Sequence, residues 1–273
     1  MIEVRRISGA LGAEIHGVDL SRPLAKSVVE EIRRAWLEQL VIFFRDQALD
    51  AAQFMAFAEQ FGEPIEYPMV KGIAGFPKII EVKKLEHERV AFGGIWHTDT
   101  AYLERPPMAS MLLAREIPPF GGDTLFANMY LAYEALSPGL KTLLEGLKAV
   151  NSSTKADASK TREDRIKTDG AVKSEFIAEH PVVRTHPETG RKALYVNSGH
   201  TVRFAGWTEE ESAPMLTFLY QHQVRPEFTC RFAWQLGSIA LWDNRCAQHN
   251  PVNDYHGYRR VMYRITLAGD VPA

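Results

Sequence analysis

Two short stretches of the chain place a histidine and an acidic residue two positions apart: His97 with Asp99, and His186 with Glu188. On an extended segment, side chains at this spacing point to the same face. Together with one distant histidine, such a pair forms the set of two histidines and one carboxylate that binds non-haem iron(II) and leaves coordination positions open. The spacing alone is a weak signal, because pairs of this kind also arise by chance.

The surroundings of the two pairs differ. His97 and Asp99 lie between GGIW and TAYL, where β-forming and aromatic residues predict a buried segment. His186 and Glu188 lie in a Pro-Glu-Thr-Gly turn signal between two apolar runs, which predicts an exposed hairpin turn. The first pair is therefore the candidate for metal binding, although on an outer face it would be two solvated side chains.

The C-terminal stretch LWDNRCAQHNPVNDYHGYRRVMYRITL supplies the distant histidine, His249. A hairpin centred between Asp254 and Tyr255 would place His249 opposite Arg260, with the two Cβ atoms about 4.5–5.5 Å apart. Arginine binds carboxylates through bidentate, charge-assisted hydrogen bonds. A metal ligand beside a guanidinium therefore suits a cosubstrate that chelates a metal at one end and carries a carboxylate at the other.

The last predicted strand has two different faces, with Arg260, Met262, Arg264 and Thr266 on one and aliphatic residues on the other. By pattern alone, the arginine face is expected in solvent and the aliphatic face in the core. Only a neighbouring metal ligand would make inward arginines the better interpretation. Thr124, which follows a Gly-Gly pair, adds a hydroxyl on a β-type segment, where threonine is common.

Composition bounds the class of protein. A chain of 273 residues with 45% hydrophobic and 24% charged residues is ordinary globular protein, long enough for one large domain or two small ones. The chain has 32 basic and 34 acidic residues, so its net charge provides no positive electrostatic potential that would bind nucleic acid or anionic lipid. No segment approaches the roughly 20 apolar residues of a membrane span. The two cysteines, Cys230 and Cys246, are expected to be buried free thiols of a cytoplasmic protein.

Many short strand-like runs predict a mainly β fold with peripheral helices, of the sandwich or jelly-roll type. Helices are predicted over 27–40, 50–62, 137–147 and 208–224. Residues 151–178 are polar and poor in large apolar side chains. They are either a solvated excursion or a lid over a pocket, since long loops in compact domains are often functional.

The motifs, taken in order, resemble one family. They are GAEIxGVDL, VIFFRDQ, WHTD, PP, GGDT, HPVVRTHPxTG, YVN, WDNRxxQH, RRxMxR and GD, from about residue 7 to 272. This order resembles the taurine dioxygenase/TfdA family of iron(II)- and 2-oxoglutarate-dependent dioxygenases. The resemblance implies a double-stranded β-helix (jelly roll), one dioxygenase domain over 1–273 with a lid insertion at 151–178, and a dimer or tetramer.

By position, the resemblance also implies the site residues. The iron ligands fall on His97, Asp99 and His249. The 2-oxoglutarate contacts fall on Thr124 and Arg260, with Arg264 near the acid groups of 2-oxoglutarate and substrate. These roles reverse the solvent-facing interpretation of the arginine strand and place His97 and Asp99 inward.

The substrate pocket departs from the family pattern. Taurine-selective members have a histidine and a tyrosine where Tyr67 and Val70 stand, an asparagine at Gly93, and a phenylalanine at His200. Loss of these polar groups argues against taurine, whereas VKGIAGFP, LYVN and PEFTCRFAW resemble members that act on aryloxyalkanoates, and alkylsulfate-cleaving members are comparable. We therefore expect hydroxylation of a small organic acid, with 2-oxoglutarate and O2 converted to succinate and CO2.

Other functions stay open at this point. A taurine dioxygenase is one. A barrel hydrolase or isomerase with Zn(II) or Mn(II) is another, although Arg260 would then have no cosubstrate carboxylate to bind. A non-catalytic small-acid binding protein would leave the histidine–aspartate pair exposed, and the near-neutral charge disfavours a nucleic-acid demethylase.

Overall fold

The computed structural model describes residues 2–155 and 175–273, which form short strands and five α-helices. The helices are α1 Lys26–Gln39, α2 Ala51–Glu59, α3 Met129–Glu134, α4 Pro138–Glu145 and α5 Glu209–His222. The strands are β1 Glu3–Arg6, β2 Ala13–His16, β3 Val41–Phe44, β4 Pro64–Ile65, β5 Ile79–Lys84, β6 Ala109–Glu116, β7 Thr124–Asn128, β8 Lys148–Ser152, β9 Ile177–Pro181, β10 Val183–Thr185, β11 Lys192–Leu194, β12 Thr201–Phe204, β13 Thr229–Phe232, β14 Ile239–Asp243, β15 Ala247–Pro251 and β16 Arg260–Leu267.

Two sheets face each other at the centre of the fold. The larger has eight strands in the order β1-β2-β3-β14-β6-β16-β4, with β5 also paired to β16, and the smaller has the order β13-β7-β15. Aromatic side chains fill the space between them: Phe43 of β3 stacks on Phe232 of β13 with ring centroids 3.8 Å apart. Phe126 of β7 likewise meets Trp242 of β14 at 5.8 Å. Two packed antiparallel layers around one core are the jelly roll predicted from the strand pattern.

The helices lie at the periphery, as predicted, and all four expected helices are present. Trp36 of α1 and Phe57 of α2 are buried against the outer face of the larger sheet, where Phe57 contacts Phe44 of β3 at 5.5 Å. A capping box begins α5, because Glu211 N donates to Thr208 Oγ1 and Thr208 N donates to Glu211 Oε2. None of the described helices has both the length and the hydropathy needed to cross a bilayer.

The predicted C-terminal hairpin is wrong. β15 pairs with β7 in the smaller sheet, whereas β16 pairs with β5 and β6 in the larger one. Residues 252–259 cross between the sheets and are attached to the loop before β7, where Val252 N donates to Asp123 O at 2.8 Å and Gly122 N donates to Asp254 Oδ1 at 2.7 Å. His249 and Arg260 therefore belong to opposite layers rather than to adjacent strands.

The range 151–178, predicted to be either a lid or a solvated excursion, begins and ends in strands. Asn151 of β8 pairs with Ala178 of β9, and Ser152 pairs with Ile177, so the ends of this range are strand. Residues 156–174 lie outside the described part of the chain. Both cysteines are buried free thiols, as expected.

Candidate metal centre and active site

His97, Asp99 and His249 bring three ligand atoms together in the interior of the fold. These atoms lie within 4.8 Å of one another, and all three residues are buried. The Nε2 atom of His97 is 3.5 Å from Asp99 Oδ1, and the Nε2 atom of His249 is 3.7 Å from the same oxygen. Two imidazoles and one carboxylate oxygen thus surround a single point.

The backbone brings the two histidines together. His97 and His249 form an isolated antiparallel bridge, in which the N–H of each donates to the carbonyl of the other at 3.0 Å. His249 lies in β15, whereas His97 belongs to no strand, and the chain turns at Thr100 with φ of +42°. The extended segment expected around His97 is therefore limited to the bridge, and a turn directs Asp99 to the same centre.

Hydrogen bonds fix the free atoms of these ligands. His97 Nδ1 donates to Ile95 O at 2.7 Å, which leaves the lone pair of Nε2 directed at the centre. Asp99 Oδ2 accepts from Ser110 Oγ at 2.6 Å and from an Arg264 guanidinium nitrogen at 2.7 Å. Asp99 Oδ1 is the oxygen that remains for a metal.

The charge states of Asp99 and His249 suit the binding of a metal cation. Burial alone would raise the pKa of Asp99, but the Arg264 guanidinium and the imidazole of His249 hold that pKa well below its usual range. Burial and the adjacent His97 lower the pKa of His249 well below its usual value. The centre therefore offers an ionised carboxylate and a neutral imidazole, and this nitrogen and oxygen donor set fits iron(II).

A second group of residues lines a cavity next to the metal centre, between the two sheets. Arg260 and Thr124 line it together with His249. Arg260 is buried, and its Nε and one terminal nitrogen have no hydrogen-bond partner in the described protein. Thr124 Oγ1 accepts from Trp234 Nε1 at 2.9 Å, which leaves the hydroxyl proton free to donate. Two unpartnered guanidinium nitrogens beside a free hydroxyl fit a carboxylate.

A larger cavity, of about 320 Å³, opens on the other side of His97 and Asp99. Three of the five residues predicted for substrate contact line it, namely Tyr67, Gly93 and His200. Arg264 lines the smaller cavity instead. Val70 lines neither: it packs with Tyr67 in a small buried cluster behind the cavity wall.

Polar groups of this cavity surround its inner end. The side chains of Tyr67 and Tyr102 lie near each other in its wall, and the Arg264 guanidinium carbon lies 5.1 Å from the centroid of the Tyr67 ring. The His200 ring contacts Tyr102 at 5.0 Å, and burial together with His97 lowers the pKa of His200 to about 3. Lys155 also lines the cavity.

Sequence reasoning missed Tyr102 and Lys155. Tyr102 could have been found from its position three residues after Asp99 in the ligand segment. Lys155 had no distinguishing signal, because it lies among many other polar residues.

The exposure predicted for His186 is wrong, although the predicted turn between β10 and β11 is present. His186 is 1% exposed and its Nε2 donates to Asp243 Oδ2 at 3.0 Å, while its Nδ1 accepts two backbone N–H groups. Arg245 occupies both oxygens of Asp243, and Glu188 is paired with Arg245 at 2.7 Å. Although Cys246 is close enough to complete a metal-binding group, the ligand atoms of His186 and Asp243 are already occupied, so this cluster is structural.

Gly199 lies directly against a metal ligand, which gives the first prediction. A methyl group at Gly199 would lie 2.8 Å from the Cβ of His97, closer than such atoms approach. We expect Gly199→Ala to displace His97 and to weaken Mn(II) or Fe(II) binding about tenfold, measured by calorimetry. The matched control is Gly139→Ala in α4, where a methyl group meets nothing within 4 Å. Equal metal affinity in the two variants would contradict this expectation.

The site and fold together define a class: a jelly-roll enzyme with two histidines and one carboxylate at a mononuclear metal centre. Residues 3–266 match the family described as "Taurine catabolism dioxygenase TauD, TfdA family". The chain belongs to this family. It is a 2-oxoglutarate-dependent dioxygenase, with iron(II) as its metal and 2-oxoglutarate and O2 as cosubstrates. The hydrolase and binding-protein alternatives are thereby excluded.

Similar proteins extend over the whole chain. An "Alkylsulfatase" of Acinetobacter baylyi is 40% identical, over 99% of this chain and 86% of that protein. An "Alpha-ketoglutarate-dependent sulfate ester dioxygenase" of Pseudomonas putida is 37% identical, over 99% and 91%. The crystal structure of a taurine dioxygenase from Burkholderia xenovorans has a TM-score of 0.85 and 40% identity, over 100% of this chain and 91% of that one.

Proposed function

We propose that this dioxygenase oxidises alkyl sulfate esters at the carbon that bears the ester oxygen, which yields inorganic sulfate and an aldehyde or ketone. One observation carries the proposal: the substrate cavity joins a group of anion-binding side chains, beside the metal centre, to an apolar wall that reaches the surface. The names of the Acinetobacter and Pseudomonas relatives, an alkylsulfatase and a sulfate ester dioxygenase, support the same substrate class.

The roles of the metal-site residues follow from their contacts. We assign His97, Asp99 and His249 to hold iron(II), with Ser110 and Arg264 fixing the second carboxylate oxygen of Asp99. When bound, iron(II) with 2-oxoglutarate supplies the oxidative decarboxylation that gives succinate and CO2 and oxidises a substrate C–H bond. The buried position of the three ligands keeps water away from this reaction.

The cosubstrate is oriented by the second cavity. Arg260 would bind the distal carboxylate of 2-oxoglutarate through its free N–H groups, and Thr124 would donate its hydroxyl proton to the same carboxylate. The hydrogen bond from Trp234 fixes the Thr124 oxygen, so its proton points away from the indole. Binding of the distal carboxylate would thus position the 2-oxo acid end of the cosubstrate at the metal.

The acid group of the substrate would lie at the inner end of the larger cavity. Arg264 supplies positive charge, and the hydroxyl groups of Tyr67 and Tyr102 can donate hydrogen bonds into the cavity. His200, with its pKa near 3, stays neutral and keeps one N–H donor. Donors on different walls suit the three terminal oxygens of a tetrahedral sulfate better than the two coplanar oxygens of a carboxylate.

The alkyl chain would follow the apolar wall. Met69 and Phe92 line the cavity, and Val90 and Ile95 line its mouth. Val90 is 50% exposed and Ile95 is 48% exposed, so both present apolar surface at the cavity. A straight chain of several carbons would cover these side chains and remove their apolar surface from water.

The test is O2-dependent succinate formation by the iron-loaded enzyme with acids of matched chain length: an alkyl sulfate, an alkanesulfonate and an alkanoate, alongside taurine and both enantiomers of an aryloxypropionate. We expect the alkyl sulfate to stimulate succinate formation most strongly, with one sulfate released per succinate. Taurine should give only the uncoupled background. Selective stimulation by taurine would contradict the proposal and assign a taurine dioxygenase, and preference for an aryloxypropionate would assign that acid instead.

A further inference from the structure

Lys84 and Arg260 are an unusual pair of neighbours. They are direct partners in the antiparallel pairing of β5 with β16, so their side chains leave the sheet on the same face. Both are buried, at 3% and 5% exposure. Like charges directly opposite each other destabilise a sheet, and buried charges are normally paired. This pair therefore needs a compensating group.

No protein carboxylate within the described residues supplies that compensation at hydrogen-bonding distance. Lys84 Nζ has no hydrogen-bond partner, and neither do Nε and one terminal nitrogen of Arg260. By contrast, the next residue, Lys83, forms an ion pair with Glu81 at 3.6 Å. Glu88 acts on Lys84 and Asp123 acts on Arg260 only from beyond hydrogen-bonding distance. The cavity wall at Arg260, with Lys84 behind it, is therefore complementary to an anion.

A buried aromatic ring connects the two cations. Lys84 Nζ lies 4.4 Å from the centroid of the Tyr255 ring, which is within the range of a cation–π contact. The Arg260 side chain lies beside the same ring, and its positive charge interacts with the Tyr255 side chain. Gly122 completes the enclosure, because a methyl group there would lie 3.2 Å from both the Arg260 side chain and the Tyr255 ring. The Tyr255 ring therefore lies in contact with both Lys84 and Arg260.

We propose that Lys84 is a positioning residue for the distal carboxylate of 2-oxoglutarate. Its ammonium holds the Tyr255 ring, which in turn holds Arg260 with its free N–H groups directed at the cosubstrate. Its charge also favours a cosubstrate that carries a second carboxylate over a 2-oxo acid that lacks one. This inference rests on the proposed placement of 2-oxoglutarate at Arg260.

The experiment is calorimetric titration of 2-oxoglutarate into the Mn(II)-loaded enzyme under nitrogen, where no turnover occurs. Lys84→Met, which keeps the length of the side chain and removes its charge, should raise the Kd about tenfold. Lys84→Arg, which keeps the cation, should bind within about twofold of the unaltered enzyme. Lys83→Met is the matched control on the same strand, and we expect no change in its Kd.

A second ligand separates positioning from a merely structural role. 2-Oxopentanoate has the chain and keto acid of 2-oxoglutarate without the distal carboxylate, so Lys84→Met should leave its Kd unchanged. Equal weakening of both ligands, or an unchanged Kd for 2-oxoglutarate in Lys84→Met, would overturn the inference. If Arg260→Met also left 2-oxoglutarate binding unchanged, the placement of the cosubstrate itself would be wrong; weakening in Arg260→Met alone would reject only the role of Lys84.

Discussion

The His97→Ala variant is expected to purify without stoichiometric iron and to lose turnover by about 1,000-fold or more. Its imidazole supplies one of only three protein ligands, and Asp99 and His249 alone leave the metal weakly held and open to water. Elemental analysis measures the metal content, and succinate formation with an alkyl sulfate measures the turnover.

The control for this variant is His87→Ala. His87 is an exposed histidine ten residues earlier in the chain, so its loss should change neither metal content nor rate. Full iron content and rate in His97→Ala would show that the metal lies elsewhere. The buried cluster of His186, Asp243 and Cys246 would then be the next group to test.

The Arg260→Met variant should raise the Kd of 2-oxoglutarate about 100-fold while leaving the metal content unchanged. Each hydrogen bond between a guanidinium and a carboxylate contributes about 1.5–3 kcal/mol, and in a closed cavity no water replaces it. The loss should exceed that in Lys84→Met, because Arg260 touches the carboxylate and Lys84 acts through Tyr255.

Arg259→Met is the matched control, since Arg259 is the preceding residue and pairs outward with Glu86 at 3.2 Å. We expect it to bind 2-oxoglutarate as the unaltered enzyme does. A similar loss in both variants would mean that β16 is disturbed as a whole, and the assignment of the distal carboxylate to Arg260 would fail.

The metal ligands were within reach of sequence reasoning, whereas the arginine strand was not. His97 and Asp99 stand in an aromatic, β-forming segment, and their spacing predicts a shared face. In β16 both faces are buried: Arg260 and Arg264 are 5% and 4% exposed, while Ile265 on the other face is fully covered. Alternation of polar and apolar residues cannot reveal an arginine that points into a cavity, so only the family resemblance placed it there.

Local sequence patterns also could not predict which residues become neighbours through the path of the chain. The predicted hairpin assumes a tight turn between Asp254 and Tyr255. In the structure, Asp254 Oδ1 accepts a hydrogen bond from Gly122 N, and the chain crosses to the other sheet. Lys84 and Lys155 come close to the two cavities only because segments distant in the chain meet there. The oligomeric state and the cytoplasmic location stay predictions from sequence.

The reciprocal backbone bonds between His97 and His249 have a consequence for how the enzyme acquires its metal. Two ligands far apart in the chain are held side by side by peptide groups, so the loss of chain entropy needed to join them occurs when the protein folds. The metal ion then binds to two histidines that are already side by side, and binding does not have to order two separate segments of the chain. We therefore expect the protein to keep its fold when the iron is removed.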